Sequence, residues 1–155
     1  MKLINVFVAT LLLVLLSSCG IKQASIKAYD GPDRALSDLA LVKPVTGIII
    51  DSIDGNSDLS LVVWGNSGTT DAEISLIPGE HVFRLRYQSI DLVSAAIDLD
   101  VSVVAGRKYI LNAKISGGIG DLVWEPRVID VTDEPEKWCV TGYGNCNSEG
   151  RPKLF

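Results

Sequence analysis

Histidine is nearly absent from this chain: His81 is the only one among 155 residues. Chemistry that recruits several imidazoles, as in most zinc sites, is thereby excluded. Cations are also scarce, with 14 Lys and Arg against 19 Asp and Glu. Phosphate backbones require clustered Lys and Arg, so nucleic acid is not an expected partner, and no polybasic patch marks a membrane surface. No apolar run is long enough to span a bilayer. The longest, Val6 to Leu16, is interrupted by Thr10 and falls short of the roughly 20 residues a spanning helix needs. Cysteine is limited to Cys19, Cys139 and Cys146, and no C-x-x-C pair occurs.

What is present begins with a targeting segment. Lys2 supplies a positive amino end, the Val6–Leu16 run follows, and Leu16-Ser17-Ser18-Cys19 closes it. That ending resembles the bacterial lipobox, a large aliphatic residue, two small residues and a cysteine. The resemblance implies that residues 1–18 are a lipoprotein signal peptide. It further implies that Cys19 carries the lipid, and each buried CH₂ of such a lipid contributes roughly 0.8 kcal/mol of anchoring. Gly20 follows the cysteine in place of the Asp that the resemblance associates with inner-membrane retention, which implies the outer membrane without fixing the face; the periplasmic face is the expected one.

Without the leader 137 residues remain, one domain's worth, with a formal charge of −6, since the leader carries one Lys and no acid. Residues 19–28 read as a polar lipidated tether, and residues 29–155 as the folded domain. In an oxidising periplasm the two remaining thiols, Cys139 and Cys146, read as a disulfide that staples the carboxy-terminal segment. Such a short loop would stabilise by about 2–3 kcal/mol on the chain-entropy account. Metal binding and redox catalysis fit that pair less well, because the spacing is wrong and no histidine lies nearby.

Hydrophobic patterning predicts strands almost throughout. Asp30-Gly31-Pro32 is a turn, and Asp33 is placed to cap a short helix with apolar positions Leu36, Leu39 and Ala40. Strands are expected at 45–53, 59–64, 72–77 and 81–87, separated by Asp54-Gly55-Asn56 and Gly65-Asn66-Ser67-Gly68. From Val93 to Val103 apolar residues alternate with Ser and Asp, and the alternation resumes from Lys108 to Ile115. The two halves read as a hairpin burying its odd-numbered face, with Asp98 and Asp100 on the wet face, opposite Lys108 or Lys114. A last pair is expected at 122–124 and 128–131. Ser75 to Phe83 echoes Ser102 to Ile110 at an offset of 27 residues, each a strand, a turn and a returning strand. The expected fold is all-β: a small antiparallel β-sandwich of about seven strands, preceded by the signal peptide and one short helix.

Ile53-Asp54-Gly55, followed by Leu76-Ile77-Pro78-Gly79-Glu80-His81, resembles the small β-sandwich modules of the PEGA type. Ala105-Gly106-Arg107-Lys108-Tyr109, Trp124-Glu125-Pro126 and Tyr29-Asp30-Gly31 are similar to a group of uncharacterised proteobacterial envelope lipoproteins. The resemblance covers residues 28–131 and rests mostly on turn signatures. It brings no catalytic residue and implies an extracytoplasmic accessory or adhesion role.

Candidate sites are few. Ser67 in Gly65-Asn66-Ser67-Gly68 resembles a serine-protease nucleophile loop but needs a base, and His81 is expected at a sheet rim beside Phe83 and Leu85. Asp51, Asp54 and Asp58 offer oxygens for calcium without EF-hand spacing, and Asx turns explain them equally. Trp64, Trp124 and Trp138 are candidates for a carbohydrate-stacking platform, or else fill the core. No cofactor is expected beyond the covalent lipid on Cys19. The expected function is non-enzymatic: an interaction module that meets the membrane through its anchor and an envelope protein through its surface. The alternative is a lipoprotein binding a small ligand, glycan or calcium.

Overall fold

Alternating aliphatic and polar residues become strands wherever one face can be buried, and here they supply two sheets. The computed structural model describes residues 24–62, 72–89, 93–116, 123–134 and 137–139. Among these, the strands in chain order are β1 Ala24–Lys27, β2 Ala40–Pro44, β3 Ile48–Ile53, β4 Leu61–Val62 and β5 Ala72–Leu76. They continue with β6 Gly79–Tyr87, β7 Ile97–Val103, β8 Lys108–Ser116 and β9 Val123–Asp130. Single 3₁₀ turns at Leu36–Asp38, Ser57–Leu59 and Lys137–Cys139 are the helical pieces among the described residues. No described helix is long and apolar enough to cross a membrane.

One sheet has the order β1-β5-β2-β8-β9 and the other β4-β3-β6-β7, so the protein is an all-β sandwich. Most neighbours are antiparallel, while β1–β5 and β2–β8 run parallel. Between the sheets lie Ile48, Ile50 and Ile53 of β3, Ile74 and Leu76 of β5, Phe83 and Leu85 of β6, and Leu111 of β8. Each is essentially fully buried, which contributes roughly 1.5–3 kcal/mol per side chain. Gly47 makes the β2–β3 turn possible. Its φ is +91°, and a Cβ there would meet the Tyr87 ring at 2.9 Å.

Several expectations are corrected. Asp33 caps no helix, because its carboxylate is held by Lys27 Nζ at 3.1 Å. The short helix shrinks to a 3₁₀ turn at Leu36–Asp38, and Leu39 and Ala40 are drawn instead into the buried start of β2. Residues 24–27, assigned to the tether, pair in parallel with β5 as β1. The two strands expected at 122–124 and 128–131 are one continuous strand, β9, that carries Pro126 without a break.

The largest correction concerns the presumed hairpin. β7 lies in the four-stranded sheet and β8 in the five-stranded one, so residues 104–107 form an arch between sheets. The middle of the odd-numbered face is buried, with Val101, Val103, Tyr109 and Leu111 in the core, whereas Val93 and Ile115 at its ends are exposed. Alternation has the same phase in a hairpin and in an arch, which is why the pattern cannot separate them. The arch is tied to β2, where Gly106 N–H donates to Leu39 O at 2.8 Å and Leu41 N–H to Arg107 O at 3.0 Å. Its sequence echo behaves alike: β5 and β6 also belong to opposite sheets, so both echoed segments step across the sandwich.

Candidate functional site

Two of the sequence motifs meet in space. Asp54 and Gly55 both have positive φ, +52° and +77°, as the central pair of a tight two-residue turn demands. Ile53 and Asn56 close that turn by exchanging backbone hydrogen bonds. The turn points the Asp54 carboxylate at the start of β6. Oδ1 accepts Val82 N–H at 2.8 Å, and Oδ2 sits 2.6 Å from His81 Nδ1. His81 Nε2 lies 2.9 Å from Ile77 O, and Asp54 N–H donates to Val82 O at 2.8 Å. The His81 side chain is 5% exposed. With both ring nitrogens held by oxygens of the fold, this imidazole is a lock and not a base poised for substrate. Ser67, its only proposed nucleophile, lies outside the described residues.

Of the remaining acidic candidates, Asp51 is also committed. Asp51 receives Arg86 Nε at 2.8 Å and 3.1 Å on its two oxygens. That hydrogen bond first, and the Asp51 charge second, hold the Arg86 guanidinium above its ordinary value, with desolvation opposing. Asp58 N–H is met by Asn56 Oδ1 at 3.0 Å, an Asx turn in place of a calcium loop. Among the described residues no three His, Cys, Asp or Glu side chains converge as metal ligands. Asp98 is not opposite a lysine of β8: it takes two bonds from Arg84 Nη1 of β6, at 3.1 and 3.3 Å.

The tryptophans do not form one platform. Trp124 belongs to the main core, its ring 6.1 Å from that of Tyr87. Trp138 covers the outer face of the five-stranded sheet, over Leu41, Ile110 and Val131. Lys43 and Lys108 each place an ammonium 5.4 Å from its ring, and Lys43 Nζ donates to Trp138 O at 3.3 Å. Both rings are about 8% exposed, too little for sugar stacking. Trp64 lies outside the described residues, as do Cys19 and Cys146. The pairing of Cys139 with Cys146 therefore lies outside them too. An open groove of about 490 Å³ beside the Leu36–Asp38 turn is lined by Leu36, Leu41, Glu73 and Arg107. Its arginine is engaged by Asp130 at 3.4 Å and Asp133 at 3.5 Å.

The feature left open to a partner is a strand edge. Gln88 N–H bonds Gly47 O and Val82 bonds Asp54, whereas Tyr87 O accepts from Ser94 N–H. Even-numbered residues of β6 thus turn their backbone toward β3, and odd-numbered ones toward β7. His81, Phe83 and Leu85 lie opposite Val101, Leu99 and Ile97. The backbone groups of Asp98, Asp100 and Ser102 consequently point away from the sheet. By the same logic, Val131 N–H to Lys108 O sets the β8–β9 ladder, and Trp124, Pro126, Val128 and Asp130 turn outward on β9. Pro126 has no N–H at that edge, so it interrupts the row of donors. β4 has two residues and β1 four, which leaves β7 as the long uninterrupted edge among the described residues.

Sequence reasoning did not single out Arg84, Arg86 or Lys43, and it set Lys108 opposite Asp98 or Asp100, whereas Lys108 lies over the Trp138 ring. The alternation of Arg84 and Arg86 with Phe83 and Leu85 was the available signal for two arginines on the wet face. Comparison with protein-family models, with curated proteins and with solved structures found no match.

Proposed function

We propose that this chain is a non-enzymatic interaction module of the cell envelope, lipidated on Cys19 and held at the outer membrane, facing the periplasm. Its partner contact is strand addition at the edge of β7. The single observation that carries the reading is that edge: seven residues, one neighbour among the described strands, and the backbone groups of Asp98, Asp100 and Ser102 directed outward. A partner segment that adds a strand gains main-chain hydrogen bonds there without reorganising the core. Supporting it, the side chains that would build an enzyme or a ligand pocket are already used. His81 and Asp54 lock a turn, Asp51 holds Arg86, and the two described tryptophans serve separate apolar clusters.

Cross-linking in intact cells followed by affinity recovery tests this. One dominant cross-linked species is expected from the lipidated protein. It should be lost both with Cys19→Ala, which removes the anchor, and with Asp100→Pro, which blocks the edge while sparing the β6–β7 ladder. Recovery of the same species from Asp100→Pro would remove β7 as the contact.

A further inference from the structure

The β7 edge also carries a charge signature, and we infer from it that the added segment is an extended peptide alternating basic and apolar residues. This rests on the strand-addition reading above and names its partner's chemistry.

The wet face of the four-stranded sheet places Asp51, Glu80, Asp98 and Asp100 beside Arg84 and Arg86. Each arginine is already matched, Arg84 by Asp98 and Arg86 by Asp51. Among the described residues Glu80 and Asp100 remain in excess, and both are exposed. Asp100 stands opposite Val82 and Glu80 opposite Ser102, so no cross-strand cation answers either one. These acids lie on the last two strands of the sheet, next to the open edge. A strand laid along β7 would set its own wet-face residues directly beside Asp98 and Asp100, at cross-strand pairing distance. Lys or Arg there is favoured, and Asp or Glu is opposed.

The other face of the added strand is specified as well. Ile97 and Leu99 of β7 point into the sandwich yet are only partly buried, unlike Val101 and Val103 further along. Alternate residues of the incoming strand would lie beside these two and cover them, which favours Val, Ile or Leu. The opposite sheet presents a different chemistry on its outer face, with exposed Lys108, Lys114 and Arg127. There Glu125 already stands opposite Lys114, so that face holds no comparable uncompensated acid beside its edge among the described residues.

The test uses the full lipidated chain in detergent micelles and two probes: a seven-residue peptide alternating Lys and Val, and one alternating Glu and Val. Affinity is read by fluorescence anisotropy, and strand formation by the amide I band of ¹³C-labelled peptide. The Lys–Val peptide should bind about fivefold or more tighter than the Glu–Val peptide, the combined effect of two cross-strand charge pairs. The preference should reverse in the Asp98→Lys, Asp100→Lys double variant. Asp100→Pro should abolish binding of both while leaving the unfolding midpoint near that of the parent. Equal affinities, lost together in Asp100→Pro, would overturn the charge inference and leave strand addition standing. Binding unchanged by Asp100→Pro, or no binding of either peptide, would overturn strand addition itself.

Discussion

β7 and β9 each close one side of a sheet, and they come within 8 Å of one another at the flank of the sandwich. Both have every second backbone unit turned away from their sheet neighbour, with no strand paired there among the described residues. On β9 one of those units is Pro126, which has no donor to offer. On β7 the corresponding units are Asp98, Asp100 and Ser102, each with its N–H and carbonyl intact. Bare edges invite pairing with other chains, and proteins usually blunt them with proline, charge or brevity. β9 is blunted by proline. On β7, among the described residues, the guard is charge, from Asp98 and Asp100. The overhanging end of β8 shows the same economy: beyond β2, the N–H of Ala113 is taken at 2.7 Å by the side chain of Asn112.

Moving proline between these positions should break the comparison most visibly. Val101 directs its N–H into the β6 ladder and is 3% exposed, so Val101→Pro removes a ladder bond and disrupts the core. A loss of about 3 kcal/mol or more is expected, measured by urea unfolding. Asp100→Pro, one residue away, should stay within about 1 kcal/mol, because its N–H points to solvent and the strand φ alone must adjust. Equal losses would mean that the inward and outward assignments on β7 are wrong.

The Asp54–His81 lock sharpens the comparison next. His81 pairs with Val101, so loosening the lock should loosen the β7 side and spare β9. His81→Ala leaves Asp54 Oδ2 and the Ile77 carbonyl without their partner, at about 1–3 kcal/mol. Amide hydrogen exchange should accelerate at Leu99 and Val101 and stay unchanged at Arg127 and Ile129. Asp54→Gly separates the two roles of that residue, since glycine accepts the +52° φ but not the hydrogen bonds. It should reproduce most of the His81→Ala loss. Near-native stability would show that the turn geometry, and not the carboxylate, was what mattered.

How far these features could be read from the residues follows from what alternation encodes. It identifies which residues of β6, β7 and β8 face the core, because burial imposes period two on any strand. It carries no information on which sheet a strand joins, so the arch at 104–107 and the parallel β2–β8 pairing were hidden. The helix expected from Leu36, Leu39 and Ala40 failed because three apolar positions cannot outweigh the pairing of β2 on both sides. Pro126 misled in the opposite direction: it argues against a central strand but is at home on an edge, and edge position is a tertiary fact. The lock was half legible. Its two turns were visible as motifs, whereas the 27-residue separation between Asp54 and His81 concealed their contact.

Restoring the missing donor on β9 tests the other side of the comparison. Pro126→Val should change stability by less than about 1 kcal/mol, since the restored N–H points away from the sheet, the side chain is only half-buried, and β-branched residues suit a strand. Its effect should be on association. With an uninterrupted edge, concentration-dependent self-association is expected by sedimentation velocity, in the variant and not in the parent. A monomeric variant would show that charge or nearby chain already guards β9, and that Pro126 is incidental.

The smallest effect is expected at the end of β9, where Asp130 anchors the turn into the Trp138 segment. Thr132 Oγ1 donates to its carboxylate at 2.6 Å and Thr132 N–H at 2.9 Å. The Thr132 hydroxyl chiefly lowers the Asp130 pKa, against a desolvation penalty, with Thr132 N–H and the Arg107 charge adding to it. A carboxyl whose folded pKa lies below its unfolded value, ordinarily about 3.9, binds fewer protons folded than unfolded just below that pH. Its stabilisation is therefore complete above about pH 4 and disappears as pH falls through the depressed folded value. The side chain is 40% exposed, so solvent screening keeps the contribution well under about 1 kcal/mol. Acid unfolding of Asp130→Asn should accordingly show a shallower loss of stability below pH 4 than the parent, with the two curves converging at the lowest pH. Curves that stay parallel throughout would mean that Asp130 titrates alike in the folded and unfolded chains, and that the β9 terminus is held by the Trp138 contacts alone.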